Sequence, residues 1–275
     1  MSSSKCVDVC IVTRSISEIL PETLGSLLLN REFINSIILI TAKLDIDDIH
    51  RKILKILKKY SKLTIIVKDG PLGYLRNICL DISSRDYICM VDSDIVLTRD
   101  YFKKILKSFN NTKIAAVGPK IISIVDKWGA LLEESLVYAH SKVFSDPPCG
   151  GTVYRRDIIS RIRFNNTLRG GEDHDLNKRL KCENYRIVIR DDVEIYHRYR
   201  GTIRENLIKH LDPSSSGAQH FSIKSLLVRT FASIPRGVIY MIISSRLGRT
   251  ITILLPIYYF LRWLFTLIGN ILHRR

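Results

Sequence analysis

Acidic residues are missing from the last 63 positions of this 275-residue chain: residues 213–275 hold eight Lys/Arg and no Asp or Glu, half of the net charge of +16. A segment both basic and apolar suits a membrane surface carrying anionic lipid. Nucleic acid is the competing partner of a basic protein. No helix-turn-helix, zinc-finger or aromatic-rich sheet pattern is visible, so no nucleic-acid partner is expected. Six cysteines (Cys6, Cys10, Cys79, Cys89, Cys149, Cys182) form no CxxC pair and keep no regular spacing. They read as reduced, buried thiols of a cytosolic protein, without a disulfide frame or zinc site. The N-terminal Met-Ser-Ser-Ser-Lys-Cys lacks the apolar core of a signal peptide, and the sequons at Asn110 and Asn165 read as chance. A glycine- and lysine-rich phosphate loop is absent from residues 7–17. That absence weighs against a nucleotidyltransferase, an enzyme class that uses acids on a Rossmann-like sheet. A membrane-bound, non-catalytic scaffold is the non-enzymatic alternative.

What is present is an alternation. Apolar, β-rich runs at 7–13, 36–41, 63–67, 87–91 and 113–119 are separated by segments of helical period near 18–30, 49–61 and 99–110 and by a helix containing Arg76 and Asn77. Apolar strands alternating with helices of about ten residues predict an α/β domain with a doubly wound, mostly parallel sheet. Pro21 falls in a first helical turn, where its missing N–H costs little, and Thr98 is the expected N-cap of the fourth helix. Residues 120–148, with Trp128 and two prolines, read as irregular. Gly150-Gly151 begins a strand-like run with close backbone approach. Residues 170–176 lead into another helix, and 186–189 and 193–196 read as two short strands. Asp212-Pro-Ser-Ser-Ser-Gly217 marks a boundary, giving a catalytic-type domain at 1–212 and a helical tail at 213–275.

The chemistry gathers at three places. Asp92-Ser93-Asp94 follows a buried strand, where open α/β sheets bind ligands. On an extended chain the two carboxylates point to one side and can hold a hard divalent cation, or the tripeptide is a capped turn. Glu172-Asp173-His174-Asp175 opens a later helix: one carboxylate of Glu172-Asp173 can act as a general base, or the acids complement the helix dipole. His197 follows a late strand, as a metal ligand beside Asp94 or as a core histidine. Mn²⁺ accepts both carboxylate and imidazole.

These segments resemble glycosyltransferase family 2. The resemblance is carried by Val9-Cys-Ile-Val-Thr-Arg-Ser, Gly73-Tyr-Leu-Arg-Asn77, Tyr87-Ile-Cys-Met-Val-Asp-Ser-Asp94, Gly171-Glu-Asp-His-Asp-Leu-Asn-Lys-Arg-Leu180 and Ile195-Tyr-His197, and covers roughly residues 5 to 200. It implies a GT-A fold, Rossmann-like, and inverting transfer from a nucleotide-diphospho-sugar with a divalent cation, Mn²⁺ or Mg²⁺. By the same resemblance Asp173 is the base and Asp94 and His197 hold the metal. Thr13, Arg14, Asp45, Arg76, Asp92, Ser93, Asp94 and Arg200 line the donor side, and Gly150, Gly151 and Glu172 the acceptor side. Two departures matter. Thr41-Ala-Lys-Leu-Asp45 stands where the family usually has paired acids after the second strand, which leaves the nucleotide base open. The Gln-x-x-Arg-Trp motif of processive synthases is absent, which implies a single sugar transfer.

The tail holds a mainly apolar stretch at 250–271, long enough to cross a bilayer, with Arg262 near its middle. Arg262, Thr266, Asn270 and Arg274 recur every four residues, one polar stripe on a helix. Basic residues flank both ends, which disfavours a single span. The expectation is an in-plane or re-entrant anchor at the cytoplasmic membrane face, with 221–243 as amphipathic partner. A helical pair folded onto the enzyme, or a dimer interface, is the alternative. The acceptor is expected to be a glycan or lipid-linked. Removal of 213–275 is expected to leave a soluble domain.

Overall fold

The structure, a computed structural model, describes residues 6–14, 16, 18–44, 47–125, 127–144, 149–168, 170–199, 201–212, 218 and 221–273. Its strands are β1 (Val7–Thr13), β2 (Ile34–Thr41), β3 (Lys62–Val67), β4 (Tyr87–Val91), β5 (Ile95–Leu97), β6 (Ile114–Val125), β7 (Thr152–Arg155) and β8 (Arg186–Tyr199). They form one sheet in the order β3-β2-β1-β4-β7-β6-β8-β5. The side from β3 to β4 is parallel. Beyond β4 the β4–β7, β6–β7 and β5–β8 pairs are antiparallel, so the sheet is mixed and the expected parallel character belongs to one half.

Helices α1 (Leu20–Leu28), α2 (Asp48–Tyr60), α3 (Leu72–Ile82), α4 (Tyr101–Ile105), α6 (Arg156–Ile162) and α7 (Glu172–Cys182) cover the sheet. Strands buried on both faces read as continuous apolar runs, and β1 shows how that run is divided. Val7, Val9 and Ile11 face Leu20, Leu24 and Leu27 of α1 in one core. Cys10 faces the other core, with Leu75 and Cys79 of α3 and Leu176 of α7. Between them Asp8 is fully buried in β1. It accepts from Ser36 (2.6 Å) and Asn35 (2.9 Å) and from the N–H groups of Ser84 (2.6 Å) and Arg85 (2.9 Å).

Four local expectations are corrected. Cys10 and Cys79 form a disulfide between β1 and α3, their Cα atoms 5.9 Å apart, and Cys182 is exposed. The fold brings together two thiols 69 residues apart, a proximity that spacing does not encode. Thr98 is not a cap: its hydroxyl donates to the Glu194 carbonyl (2.8 Å), and Asp100, at φ 63°, precedes the short α4. Residues 186–199 are one continuous strand. Residues 120–125 prolong β6, and α5 (Trp128–Phe144) occupies most of the supposed irregular region.

The chain divides into two compact units: Met1–Ile122 with Asp146–Leu168 and Glu172–His197, and Ser123–Ser145 with Arg169–Gly171 and Arg198–Arg275. The second unit holds α5, α8 (Ile203–Lys209), α9 (Ile223–Ser244) and α10 (Leu255–Leu272). Leu132, Leu136 and Ala139 of α5, Leu207 of α8, Tyr240 of α9 and Leu255 and Tyr258 of α10 share one core. The tail beyond residue 212 therefore packs with two helices from before it. Glu133 of α5 accepts from Arg262 (3.1 Å) and from the Tyr258 hydroxyl. Its neighbour Glu134 pairs with Arg249. Arg262 also donates from Nε to His210 (2.9 Å); burial and the Arg262 charge hold that imidazole's pKa down at about 3.

Candidate active site

Asp92-Ser93-Asp94 is a turn, not extended chain: the Ile95 N–H donates to the Asp92 carbonyl (3.1 Å), joining β4 to β5. The turn is tied to β1 and α1. The Ser93 hydroxyl bonds that of Thr13 (3.2 Å), and Thr23 donates to the Ser93 carbonyl (3.0 Å). Arg14, one residue past β1, is exposed.

Arg76 organises the carboxylates. It sits on α3 with 5% of its side chain exposed and donates to Asp92 (3.1 Å) and to Glu172. Its surroundings favour the charged form: burial opposes its charge, but Cys149 and the carboxylates of Glu172, Asp92 and Asp173 outweigh that and raise its pKa. The resemblance puts Arg76 on the donor side, and Glu172 is expected on the acceptor side. In the structure the two are partners, and Glu172 is 3% exposed. Burial pushes the Glu172 carboxyl up, against the Arg76 charge. Asp92 is also raised, by the crowding of protein around it ahead of the opposing Arg76, while 40% of its side chain stays open to solvent.

The other residues of the Gly73–Asn77 stretch hold α3 against a loop. A Cβ on Gly73 would stand 2.0 Å from the Asn165 carbonyl oxygen, so only glycine permits that approach. Asn77 is 2% exposed. It donates to the Phe164 carbonyl (2.8 Å) and to Asn166 (2.7 Å), and accepts from the Phe164 N–H (3.0 Å). The Phe164 ring lies 5.7 Å from the Arg76 guanidinium. Gly150 lies against the carboxylate of the turn: a Cβ there would meet Asp92 Oδ2 at 2.9 Å. Gly151 has φ +79°, and a Cβ would meet Ile195 at 2.7 Å.

Asp173, in the first turn of α7, is half-buried. It accepts from the His174 N–H (2.8 Å) and the Cys149 N–H (3.3 Å). Asp175 is engaged elsewhere, by Arg179 one turn on (2.7 Å). Ile95 pairs with His197 across the β5–β8 ladder, which sets His197 Nε2 3.3 Å from Asp94 Oδ2. Burial lowers the His197 pKa, but the bond to Asp94 and its charge outweigh that and raise it.

Asp92, Asp94, Arg76, Glu172, Asp173, Gly150 and His197 thus interact directly or through charge at one end of the sheet. Asp45 and Arg200 lie outside the described residues. Sequence reasoning missed the roles of Asn77 and Phe164, although Asn77 stands inside the quoted motif. It also missed the Arg76–Glu172 pair, whose members are 96 residues apart.

The family profile described as Glycosyl transferase family 2 matches residues 8–163. Two strains of Mycobacterium tuberculosis have a curated relative named pre-mycofactocin glycosyltransferase, 29% identical over 150 residues. The match covers 50% of this chain and 32% of the relative, so the chain spans about a third of that protein's length. Among solved structures, a mannosyltransferase from Pyrobaculum calidifontis in complex with GDP-Man and Mn²⁺ superposes with a TM-score of 0.57 at 15% identity, over 76% of this chain and 62% of that one. TarS 1-349 from S. aureus, in complex with UDP-GlcNAc, gives 0.53 at 17%, over 83% and 66%. These likenesses show the GT-A fold, and the profile covers more than half the chain. The chain belongs to glycosyltransferase family 2.

Proposed function

We propose that this protein transfers a single sugar, with inversion, from a nucleotide-diphospho-sugar to an acceptor hydroxyl or phosphate on a glycan or lipid-linked molecule. The observation that carries the proposal is the Asp92–Arg76–Glu172 network. It ties the turn between β4 and β5 to the first turn of α7, so Asp173 is held in a fixed relation to Asp92. Asp173 is the general base: open on one side and anchored by two backbone N–H groups, it takes the acceptor's proton. The freed oxygen attacks the anomeric carbon from the face opposite the diphosphate. The bond from that carbon to the diphosphate oxygen breaks, and the nucleoside diphosphate leaves with the electron pair. Thr13, Arg14, Asp92 and Ser93 lie on the donor side. In this reading Arg76 acts through Asp92 and Glu172 rather than on the donor.

A divalent cation, Mn²⁺ or Mg²⁺, fits Asp94 and His197. They present one carboxylate and one imidazole side by side, and among the described residues no third His, Cys, Asp or Glu completes a cluster. A two-ligand site leaves most of the coordination shell to phosphate oxygens and water, as such ions favour. When bound, the ion supplies positive charge to the departing diphosphate. The ligands named for the two fold neighbours, GDP-Man with Mn²⁺ and UDP-GlcNAc, are the first donors to test.

The site works at the cytoplasmic membrane face. That reading is supported by two helices, Ile223–Leu247 and Thr250–Leu272, long and apolar enough to cross a membrane, in a tail without acids. The direct experiment is a panel of nucleotide-sugars, scored for hydrolysis and thermal shift with Mn²⁺ and with chelator. One donor that is hydrolysed, and that stabilises the protein only with the ion, is the expected result. If no donor gave either signal, the assignment would fail.

A further inference from the structure

Both tail helices expose apolar side chains, Ile257 and Leu272 of α10 among them, but their polar groups are used differently. On α10 the described part of the expected polar stripe is used inside the unit, Arg274 lying outside the described residues: Arg262 is held by Glu133 and His210, and the Asn270 side chain donates to the Thr266 carbonyl (2.9 Å). On α9, Leu226, Thr230, Gly237 and Tyr240 are buried, while Leu227, Phe231, Ile234, Val238 and Ile242 are exposed. Those five recur at intervals of three and four, one continuous helix face. Phe231 is 68% and Ile242 62% exposed, too large an apolar stripe to be scattered surface residues. The charges divide in the same way. Arg249 and Arg262 are neutralised by Glu134 and Glu133, and Arg229 stacks on Phe221 (4.0 Å) and Trp263 (5.7 Å). Lys224, Arg236 and Arg246 are exposed, and among the described residues no acid pairs with them.

We propose that this face of α9, rather than the more apolar stretch at 250–271, is the surface by which the protein lies on a bilayer carrying anionic lipid, the helix axis in the membrane plane. The proposal deepens the membrane reading above and rests on it. An in-plane helix buries its apolar face at the acyl boundary and keeps its cations among the headgroups. A spanning α9 would instead put Arg236 in hydrocarbon, where a central charge is unfavourable. A second copy is the wrong occupant, because a two-fold contact sets this patch against the same patch and would bring the cations Lys224, Arg236 and Arg246 of one copy toward those of the other.

Flotation of the full chain with phosphatidylcholine vesicles, and with an equimolar phosphatidylcholine–phosphatidylglycerol mixture, tests it. Wild type is expected to float with the anionic vesicles and to be released by alkaline carbonate. The Phe231→Ser/Ile242→Ser variant, at exposed positions, should keep its circular dichroism and stay unbound. Arg236→Glu/Arg246→Glu should lose only the preference for anionic vesicles. Flotation of the Phe231→Ser/Ile242→Ser variant at the wild-type level would overturn the proposal, as would retention after carbonate, the mark of a span. So would lipid-free self-association that this variant abolishes while flotation persists. Nucleotide-sugar hydrolysis in the same samples should match wild type in both variants, so a failed flotation result is separable from a failed enzyme assignment.

Discussion

Arg76 is a buried cation between two acids, and removing it strands a buried charge. Arg76→Met should destabilise the fold by about 3–5 kcal/mol, the usual consequence of breaking one side of such a pair, measurable by chemical denaturation. At Gly150 the effect should fall on activity. Gly150→Ala would set a Cβ 2.9 Å from Asp92 Oδ2 and push that carboxylate off the position in which it pairs with Arg76. Turnover should fall by roughly 10–100-fold, in line with the sensitivity of reacting groups to small displacements, with little change in the denaturation midpoint. Asp8 gives a pH dependence. Burial raises its pKa, but Ser36, Asn35 and the Ser84 and Arg85 N–H groups outweigh that, and the net shift is downward. A carboxylate lowered on folding contributes stability above its unfolded pKa of about 3.9 and loses it as the pH falls through the folded value. Asp8→Asn should therefore be less stable than wild type near neutrality, by roughly 1–3 kcal/mol for the disturbed acceptor set. The gap should close below about pH 4.

At the scale of elements, the four parallel strands and helices α1, α2, α3 and α7 were legible because long apolar runs and helical periods are local signals. Asp92-Ser93-Asp94 stands out as a candidate site for the same reason: an acid pair stands where an apolar run stops. Less legible were β5, three residues long, and the length of β6 and β8, because a β-ladder depends on partners distant in sequence. The helix α5 was hidden by its own function in the fold. Its Leu132, Leu136 and Ala139 face tail helices a hundred residues on, and Glu133 and Glu134 break the apolar pattern because they serve Arg262 and Arg249. This revises the expectation for truncation. Removing residues 213–275 uncovers the α5 face, so the shortened protein should aggregate on purification instead of becoming a soluble domain. A monodisperse truncated protein on size exclusion would contradict the shared core.

Across the whole molecule, family membership was readable from the order of the motifs, but the relations among them were not. The motif places Arg76 on the donor side by chain position alone. Only the fold brings Glu172 to it across 96 residues and turns it into a link between two parts of the site. The same holds for Asp94 and His197, joined by the register of β5 on β8. The central claim, that Asp173 moves the proton while the turn at Asp92–Asp94 holds the donor, meets its most direct test in one paired measurement. Donor binding by calorimetry with Mn²⁺ and sugar transfer are to be measured on wild type and on Asp173→Asn. Donor affinity is expected to stay within about twofold of wild type and turnover to fall by roughly 10²–10⁴-fold, the range of a general base. Wild-type turnover in Asp173→Asn would contradict it.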